Sequence, residues 1–389
     1  MTHEPAVPRT TAGPLFADTG LKLGVFGLNV SSAGAVTAAA ERHEIDWDQN
    51  VRVVQQAENA GFEAVIPFSR WRGFEGRTNP WGQSFDPYTW SAALAALTSR
   101  ITLFATSHCL TVSPVMAAKQ IATIDAISGG RIGLNVVAGW FAKELAMFGV
   151  ETLGHDDRYS YSEEWLEIVL RLWADGDDFD YEGHWLSVAA GYSRPGPVQH
   201  PHPPIMNAAF SDRGHRFAAR YADLSFVSAF DASDAAAKVR NIREMATGFG
   251  REHSVWVAAS VVCADTEQEA HDLVRRWSGI DADEVAVRNA IDWTMGGTRM
   301  PPEQHRQLAG AVASTMAGYP LIGTAERISE ALAQLSAAGI DGVALTMMNY
   351  EAGVPRFIDE VLPILEKNGV RRPSVTQSPQ GNIAPEGRS

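Results

Sequence analysis

The stretch IGLNVVAGWFAKE, residues 132–144, begins as a buried β-strand and ends in a charged segment. Four bulky apolar residues between positions 132 and 137 are typical of a strand that is covered on both faces of a parallel sheet. Asn135 nevertheless places an amide inside this run, and Gly139 and Trp140 end it. An amide at this position indicates that polar groups meet near the end of the strand.

Seven further β-like runs alternate with amphipathic helical patterns along the chain. The eight runs are 22–27, 63–67, 101–106, 131–137, 204–209, 223–227, 255–263 and 342–347. The helical patterns are 46–60, 87–98, 114–127, 160–174, 212–221, 234–249 and 325–338. Buried strands alternating with helices in eight units predict a closed (β/α)8 TIM barrel. A doubly wound open sheet is less favoured, because no Gly-x-Gly-x-x-Gly follows the first strand.

The domain organisation predicted from these patterns is a single barrel over residues 21–368. Two connections, at about 138–203 and about 264–341, are too long for a bare barrel. They are expected to be insertions at its C-terminal face, where such folds carry lids and substrate walls. The terminal segments 1–20 and 369–389 are expected to be flexible, because they contain too few apolar residues to offset their ordering entropy.

The composition argues against several classes of protein. The chain has 389 residues, with 32 Lys+Arg against 46 Asp+Glu and a net charge of −14. This balance argues against nucleic acid or an anionic membrane as the main partner. No apolar run approaches the roughly 20 residues of a membrane-spanning helix, and no secretory signal is recognisable, so a soluble cytoplasmic protein is predicted. Cys109 and Cys263 lie far apart in apolar runs and are expected to be reduced packing residues.

Polar residues follow several of the predicted strands. They are Asn29, Ser69, Arg70, Thr106, His108, Asn135 and Ser211. No Gly-x-Ser-x-Gly elbow and no metal-binding His or Cys pair accompanies them, so neither a hydrolase nor a metal site is predicted. Amide and hydroxyl groups can instead bond the edge of an isoalloxazine ring, while Arg158, Tyr159 and Ser211 can hold a phosphate. From the residues alone, Asn135 can equally be a core amide and Arg158 a surface ion pair.

Longer motifs point to a family. The run AAKQIATIDAISGGRIGLNVVAGWFAKELAMFG (117–149), continued by HDDRYSYSEEWLEIVLRLW (155–173), resembles the bacterial-luciferase-like flavin monooxygenases. The resemblance extends over about 20–365 and includes AENAGFEAVI (57–66) and LIGTAERISEAL (321–332). It implies a (β/α)8 enzyme that takes reduced FMN (FMNH2) from a separate NAD(P)H:flavin reductase and reacts it with O2. Members of this family are usually dimers or tetramers.

Within the family, RWRGFEGRTNPW (70–81) resembles the branch that holds pyrimidine-ring-opening monooxygenases. The segment GRIGLNVVAGWF (130–141) is equally similar to the dimethylsulfone monooxygenases. The resemblance implies a flavin (hydro)peroxide that oxygenates and cleaves a small organic substrate. The FMN contacts that it implies are Ser69, Arg70, Asn135, Glu144, Arg158, Tyr159 and Ser211. Ser69 and Arg70 match the family by position only, so their contacts with FMN can be made by the backbone.

The expected roles around the strand ends follow from this resemblance. We expect Thr106 and Asn135 to polarise the flavin edge and the place where O2 docks. His108, whose ordinary pKa lies near neutrality, is expected to be either a general acid or a hydrogen-bonded structural histidine. Aromatic residues are expected to keep water from the pocket, although aromatics also fill cores. The residues expected to line it are Phe26, Asn29, Phe68, Trp71, Trp81 and Trp140.

The substrate stays open at this stage. Ring opening of a pyrimidine- or pyridine-like N-heterocycle or amide is slightly favoured, and carbon–sulfur cleavage of a sulfone is the alternative. His108 and Cys109 stand where small residues are usual in the family, which leaves the substrate in question. An oxidoreductase that uses the deazaflavin F420 and a non-enzymatic flavin-binding barrel are further alternatives. Oxygen consumption with reduced FMN distinguishes the first of these from a monooxygenase.

Overall fold

Eight parallel strands close into a barrel in the computed structural model of the protein, which describes residues 13–174, 176–294 and 300–373. The strands of the described residues are β1 (Lys22–Phe26), β2 (Ala64–Ile66), β3 (Thr102–His108), β4 (Ile132–Val137), β5 (Phe179–Glu182), β6 (Ser187–Gly191), β7 (Ile205–Ala208), β8 (Leu224–Val227), β9 (Ser254–Cys263), β10 (Tyr319–Gly323) and β11 (Gly342–Met347). The barrel order is β11-β1-β2-β3-β4-β7-β8, and β9 closes it by pairing with both β8 and β11. The predicted (β/α)8 barrel is confirmed.

The helices surround this barrel. They are α1 (Trp47–Asn59), α2 (Pro87–Leu97), α3 (Pro114–Ser128), α4 (Ala142–Met147), α5 (His155–Trp173), α6 (Asp212–Tyr221), α7 (Ala232–Gly248), α8 (Glu267–Ser278), α9 (Glu284–Thr294), α10 (Pro302–Thr315), α11 (Ala325–Ala337), α12 (Tyr350–Arg356) and α13 (Leu362–Lys367). A π-helical turn at Phe357–Val361 joins the last two. Asp46 and Asp86 begin the first two helices, because each side chain accepts an otherwise unpaired N–H of the first turn. All seven predicted helices are present, and α5 begins earlier than predicted.

The two long connections contain secondary structure of their own. The first holds α4, α5 and the antiparallel β5–β6 hairpin. The second holds α8 to α11 and strand β10, which pairs with the C-terminal half of β9. Neither the hairpin nor β10 was predicted from the sequence. The hairpin packs against α5, where the Glu164 carboxylate accepts the backbone N–H groups of Trp185 and Leu186 at 2.9 Å.

Large side chains fill the barrel interior below those ends. Trp256 of β9 and Phe104 of β3 are fully buried and belong to one inner cluster. Two glycines make room for them: a Cβ at Gly342 would lie 2.2 Å from the Trp256 ring, and one at Gly133 would lie 2.5 Å from the Phe104 ring. Leu15, in a short 3₁₀ turn before β1, packs on the same cluster. The space for a ligand is therefore confined to the C-terminal mouth of the barrel.

The terminal segments that were predicted to be flexible fall partly within the described residues. Within 13–20 and 369–373, Leu15 and Arg371 are buried. Gly20 pairs with Arg371 in an antiparallel bridge, and the Arg371 guanidinium donates to the Glu63 carboxylate at 2.8 Å. Both side chains of this ion pair are 1% exposed. The rest of the two predicted segments lies outside the described residues.

Candidate active site

Thr106 and Asn135 lie side by side in adjacent strands at the barrel mouth. The Asn135 Nδ2 group donates to the Thr106 hydroxyl at 3.1 Å, and that hydroxyl donates to the Pro67 carbonyl at 2.5 Å. Because the hydroxyl proton is used on Pro67, Thr106 can only accept from Asn135, which fixes the orientation of the amide. Asn135 Oδ1 is buried and has no hydrogen-bond partner among the described residues. The strand therefore presents one unused acceptor at the mouth.

Aromatic rings from β1, β8 and the loop after β2 lie against one another. The ring centroid of Phe68 lies 4.4 Å from that of Phe26 and 4.8 Å from that of Trp81. Phe226 adds a ring 4.8 Å from Phe26. Phe26, Phe68 and Trp140 are half-buried, as expected of side chains that line an opening. Phe26, Phe68 and Trp81, three residues of the predicted lining, are therefore neighbours.

A buried ion pair links the loop after β2 to helix α4. The Arg70 guanidinium donates to Glu144 at 3.1 Å, and the two side chains are 7% and 1% exposed. The same carboxylate accepts the backbone N–H groups of Trp71 at 2.9 Å and Arg72 at 3.1 Å. Ser69, next to Arg70, is also buried. With three donors on its carboxylate, Glu144 holds this loop against α4.

His108 follows Thr106 along β3 and is buried. Burial, together with the positive charge of Arg70, lowers the pKa of His108 to about 3. The imidazole is therefore neutral at physiological pH. This result corrects the expectation of a pKa near neutrality and removes the reason for assigning His108 as a general acid.

A second polar cluster lies where α5 meets the beginning of α6. The Ser211 hydroxyl accepts the Gly214 N–H at 3.2 Å and lies 3.0 Å from His155 Nε2. Tyr159 packs so closely here that a Cβ at Gly214 would lie 2.3 Å from its hydroxyl oxygen. Burial raises the pKa of Tyr159, so it keeps its proton as a donor. We name His155, Tyr159, Ser211 and the α6 N-terminus the α5–α6 corner.

His155 was missed at the sequence level. The sequence could have indicated that His155 lies beside Tyr159, because the two residues are one helical turn apart. Arg158 was predicted for this corner, but its guanidinium donates to the Gly139 carbonyl. Arg158 therefore also braces the loop that carries Trp140.

Two predicted pocket residues have other positions. Asn29 is fully buried; its amide group donates to the carbonyls of Phe68 and Phe85 and accepts the Phe68 N–H at 2.8 Å. Since these bonds use both ends of the amide, Asn29 positions loops instead of lining the pocket, which corrects the prediction. Trp71 lies at the outer rim, 43% exposed, with its ring centroid 5.2 Å from that of Phe148.

In the described ranges, no three or more His, Cys, Asp or Glu side chains are grouped so that they could hold a metal ion. Cys109 and Cys263 are both free thiols. No helix in the part of the chain that the structure describes is long and apolar enough to span a membrane.

Comparison with known proteins places the chain in a family. The model of the luciferase-like monooxygenase family matches residues 21–342, so the chain belongs to this family, and it is a flavin-dependent monooxygenase. It is 30% identical to the pyrimidine monooxygenase RutA of Acinetobacter baylyi over 89% of this chain and 95% of that protein. It is 31% identical to the FMNH2-dependent dimethylsulfone monooxygenase of Pseudomonas putida over 87% and 93%.

Solved structures agree with this placement. The riboflavin lyase RcaE, solved with modified FMN and its substrate riboflavin, superposes with a TM-score of 0.78 at 26% identity, over 90% of this chain and 92% of that one. DmoA from Hyphomicrobium sulfonivorans superposes with a TM-score of 0.79 at 19% identity, over 90% and 89%. At that lower identity the second likeness shows the fold alone.

Proposed function

We propose that this protein is a two-component monooxygenase that binds FMNH2 supplied by a separate NAD(P)H:flavin reductase. With O2, it oxygenates and cleaves a small N-heterocycle or cyclic amide. The bound flavin supplies the activation of O2 and the transfer of one oxygen atom. The protein supplies binding, orientation and the exclusion of water.

The unused acceptor of Asn135 is the observation that carries the proposal. A reduced isoalloxazine ring carries N–H groups, and a buried carbonyl oxygen without a donor costs free energy that such an N–H would recover. The strand, the Thr106 hydroxyl and the Pro67 carbonyl together hold that oxygen toward the mouth. The residues present therefore fit a reduced flavin at this position.

The α5–α6 corner fits the phosphate end of FMN. It combines the Tyr159 phenol, the Ser211 hydroxyl, the His155 ring and N–H groups at the start of a ten-residue helix. Helix N-termini attract phosphate because their first N–H groups are unpaired and the helix dipole is positive there. Arg158 and Glu144 support this arrangement by bracing the loops on either side of Trp140. Ser69 and Arg70 are proposed to contact the cofactor through their backbone.

The remaining mouth residues exclude water and orient the substrate. Phe26, Phe68 and Trp140 give the site an apolar wall, which protects a reactive oxygen species from protons and hydrolysis. Thr106 uses its only proton on Pro67, so its role is to fix Asn135 instead of donating to O2. The earlier expectation that Thr106 polarises O2 is thereby refined to a positioning role.

The proposed substrate class is supported by one relative and by one solved structure. One relative is named for a pyrimidine substrate and one structure holds riboflavin as substrate; riboflavin also contains a pyrimidinedione ring. The 31% identity to a dimethylsulfone monooxygenase supports sulfone cleavage as the second candidate.

A product screen tests the proposal. FMNH2, prepared chemically, is mixed with the protein and ¹⁸O2 in the presence of pyrimidines, pyridines, lactams or sulfones, and products are read by mass spectrometry. One ¹⁸O atom in a ring-opened product is expected. Cleavage of a sulfone to a sulfinate and an aldehyde would favour the sulfone candidate, and oxygen uptake without any oxygenated or cleaved product would contradict both. Asn135→Ala is expected to lose coupled turnover.

A further inference from the structure

Two unpaired N–H donors lie beside each other in the loop between β2 and α2, residues 67–86. The Arg70 guanidinium carbon lies 4.9 Å from the centre of the Trp81 ring and 4.7 Å from the centre of the Trp140 ring. Arg70 Nε and Trp81 Nε1 are both buried, and neither has a hydrogen-bond partner in the described ranges. A buried donor left unpaired costs about 1 to 3 kcal/mol, so two in one place point to a missing acceptor.

The loop holds this arrangement under backbone strain. Trp81 has φ of +64° and Asn79 has φ of +43°, in the region that bulky residues rarely adopt. The Asn79 side chain stabilises the turn by accepting the Glu75 backbone N–H at 2.9 Å. The backbone N–H of Trp81 donates to the Ser31 carbonyl. Such strain persists where the surroundings over-determine a conformation, and it is concentrated at functional sites.

The charges around the two donors select the kind of acceptor. Arg70 is positive and Glu144, its partner at 3.1 Å, is negative, so the pair has no net charge. His108, close by, is neutral at physiological pH because burial and Arg70 lower its pKa. A carboxylate would therefore bring an uncompensated charge into a buried site, whereas a carbonyl oxygen would not.

We propose that Arg70 Nε and Trp81 Nε1 together bind a carbonyl oxygen of an uncharged substrate, such as the ring carbonyl of a lactam or cyclic imide. This inference rests on the proposed function and narrows its substrate class. Arg70 then has two roles: its side chain binds the substrate, and its backbone faces the cofactor. Trp140, on the other side of the guanidinium, keeps the donor in place.

The test measures binding to the FMN-loaded protein by isothermal titration calorimetry. The probes are uracil and 2-pyridone, their carbonyl-free counterparts pyrimidine and pyridine, and the anion nicotinate. The wild-type protein is expected to bind each carbonyl compound at least about tenfold more tightly than its counterpart or nicotinate. Trp81→Phe keeps the ring but removes the N–H, and Arg70→Lys keeps the charge but removes the Nε donor. Each is expected to reduce this preference about tenfold, and FMN binding by each variant is measured in parallel.

Trp256→Phe is the matched control. Its indole Nε1 is also buried and has no hydrogen-bond partner among the described residues, but it lies near the N-terminal end of β9, away from the barrel mouth, so the preference should be unchanged. A preference that survives in both site variants, or a wild-type protein that binds none of the carbonyl probes, overturns the inference alone. A loss of FMN affinity in Trp81→Phe, with the preference intact, assigns the donors to the cofactor and also overturns it. A wild-type protein that binds neither FMN nor FMNH2 overturns the proposed function as well.

Discussion

Asn135 shows how one hydroxyl can decide what a buried amide offers to a ligand. Thr106→Val keeps the side-chain shape but removes the hydroxyl that orients the amide. We expect coupled turnover with supplied FMNH2 to fall about tenfold or more, because a misplaced group near the reacting atoms is costly. Thr106→Ser keeps the hydroxyl and should stay near the wild-type rate. Equal turnover in the valine and wild-type proteins would falsify the positioning role.

His108 links the site to the acid stability of the fold. An unfolded histidine binds a proton near pH 6.5, but folded His108 does so only near pH 3, because burial and Arg70 lower its pKa. The unfolded state thus holds more protons in this window. The stability contributed by neutral His108 is complete above about pH 6.5 and is lost as the pH falls toward 3. His108→Gln should therefore lose less Tm on acidification than the wild-type protein.

The control for this measurement is His271→Gln, at an exposed position of α8. It should follow the wild-type curve. The pH dependence of kcat/KM between about pH 5 and 8 should also have the same shape in wild type and His108→Gln, because the imidazole does not titrate there. A step that disappears in the variant would restore His108 as a general acid or base.

At the scale of elements, the α5–α6 corner, which we propose binds the FMN phosphate, depends on how closely α5 approaches the start of α6. In Gly214→Ala the new Cβ would meet the Tyr159 hydroxyl at 2.3 Å and the Ala209 Cβ at 2.7 Å. Because the corner must open, we expect FMN affinity to fall about tenfold or more while riboflavin affinity changes little. Fluorescence quenching measures both affinities. Gly310→Ala, with no atom within 4 Å of the new Cβ, should leave both unchanged.

The contact between the β2–α2 loop and α4 is expected to stabilise the folded state. Glu144→Ala leaves the Arg70 guanidinium buried without its partner and frees two backbone N–H groups. A loss of about 3 to 5 kcal/mol in the free energy of unfolding is expected, since breaking a buried pair leaves an uncompensated charge. Urea unfolding measures it. Glu75→Ala removes only exposed ion pairs to Lys143 and Arg72. It should leave the midpoint of urea unfolding close to that of the wild-type protein.

The elements differ in how much of them a sequence can reveal. The barrel strands were predictable because each is a short apolar run between helical patterns. Strand β10 was not predictable, since its YPLIG run contains a proline. The β5–β6 hairpin was not predictable either, because it is mostly exposed and lacks an apolar run. The same limit applies to single residues. Asn29 bonds to backbone 39 and 56 positions away, and no local pattern encodes which distant group will use its amide.

For the molecule as a whole, the filled barrel interior leaves the C-terminal mouth as the side from which a flavin can enter. The proposed two-component reaction takes reduced flavin from solution and needs no electron path through the chain. We therefore expect chemically reduced FMN to support O2 uptake and substrate oxygenation without any reductase, and NADH alone to support neither. Mass spectrometry of the oxygenated product measures the reaction, because free FMNH2 also consumes O2 without the protein. A strict requirement for the reductase protein would contradict free transfer of FMNH2.

The same experiment separates the two cofactor classes that share this barrel. A reduced 5-deazaflavin such as F420 has carbon at position 5 and offers no N–H there to the unused Asn135 oxygen, which would remain unpaired at a cost of about 1 to 3 kcal/mol. Reduced F420 should therefore bind more weakly than FMNH2 and leave O2 untouched. Asn135→Leu, which removes the unpaired acceptor, should narrow the difference in affinity between the two cofactors. Anaerobic substrate oxidation by F420 would instead assign the protein to the reductases.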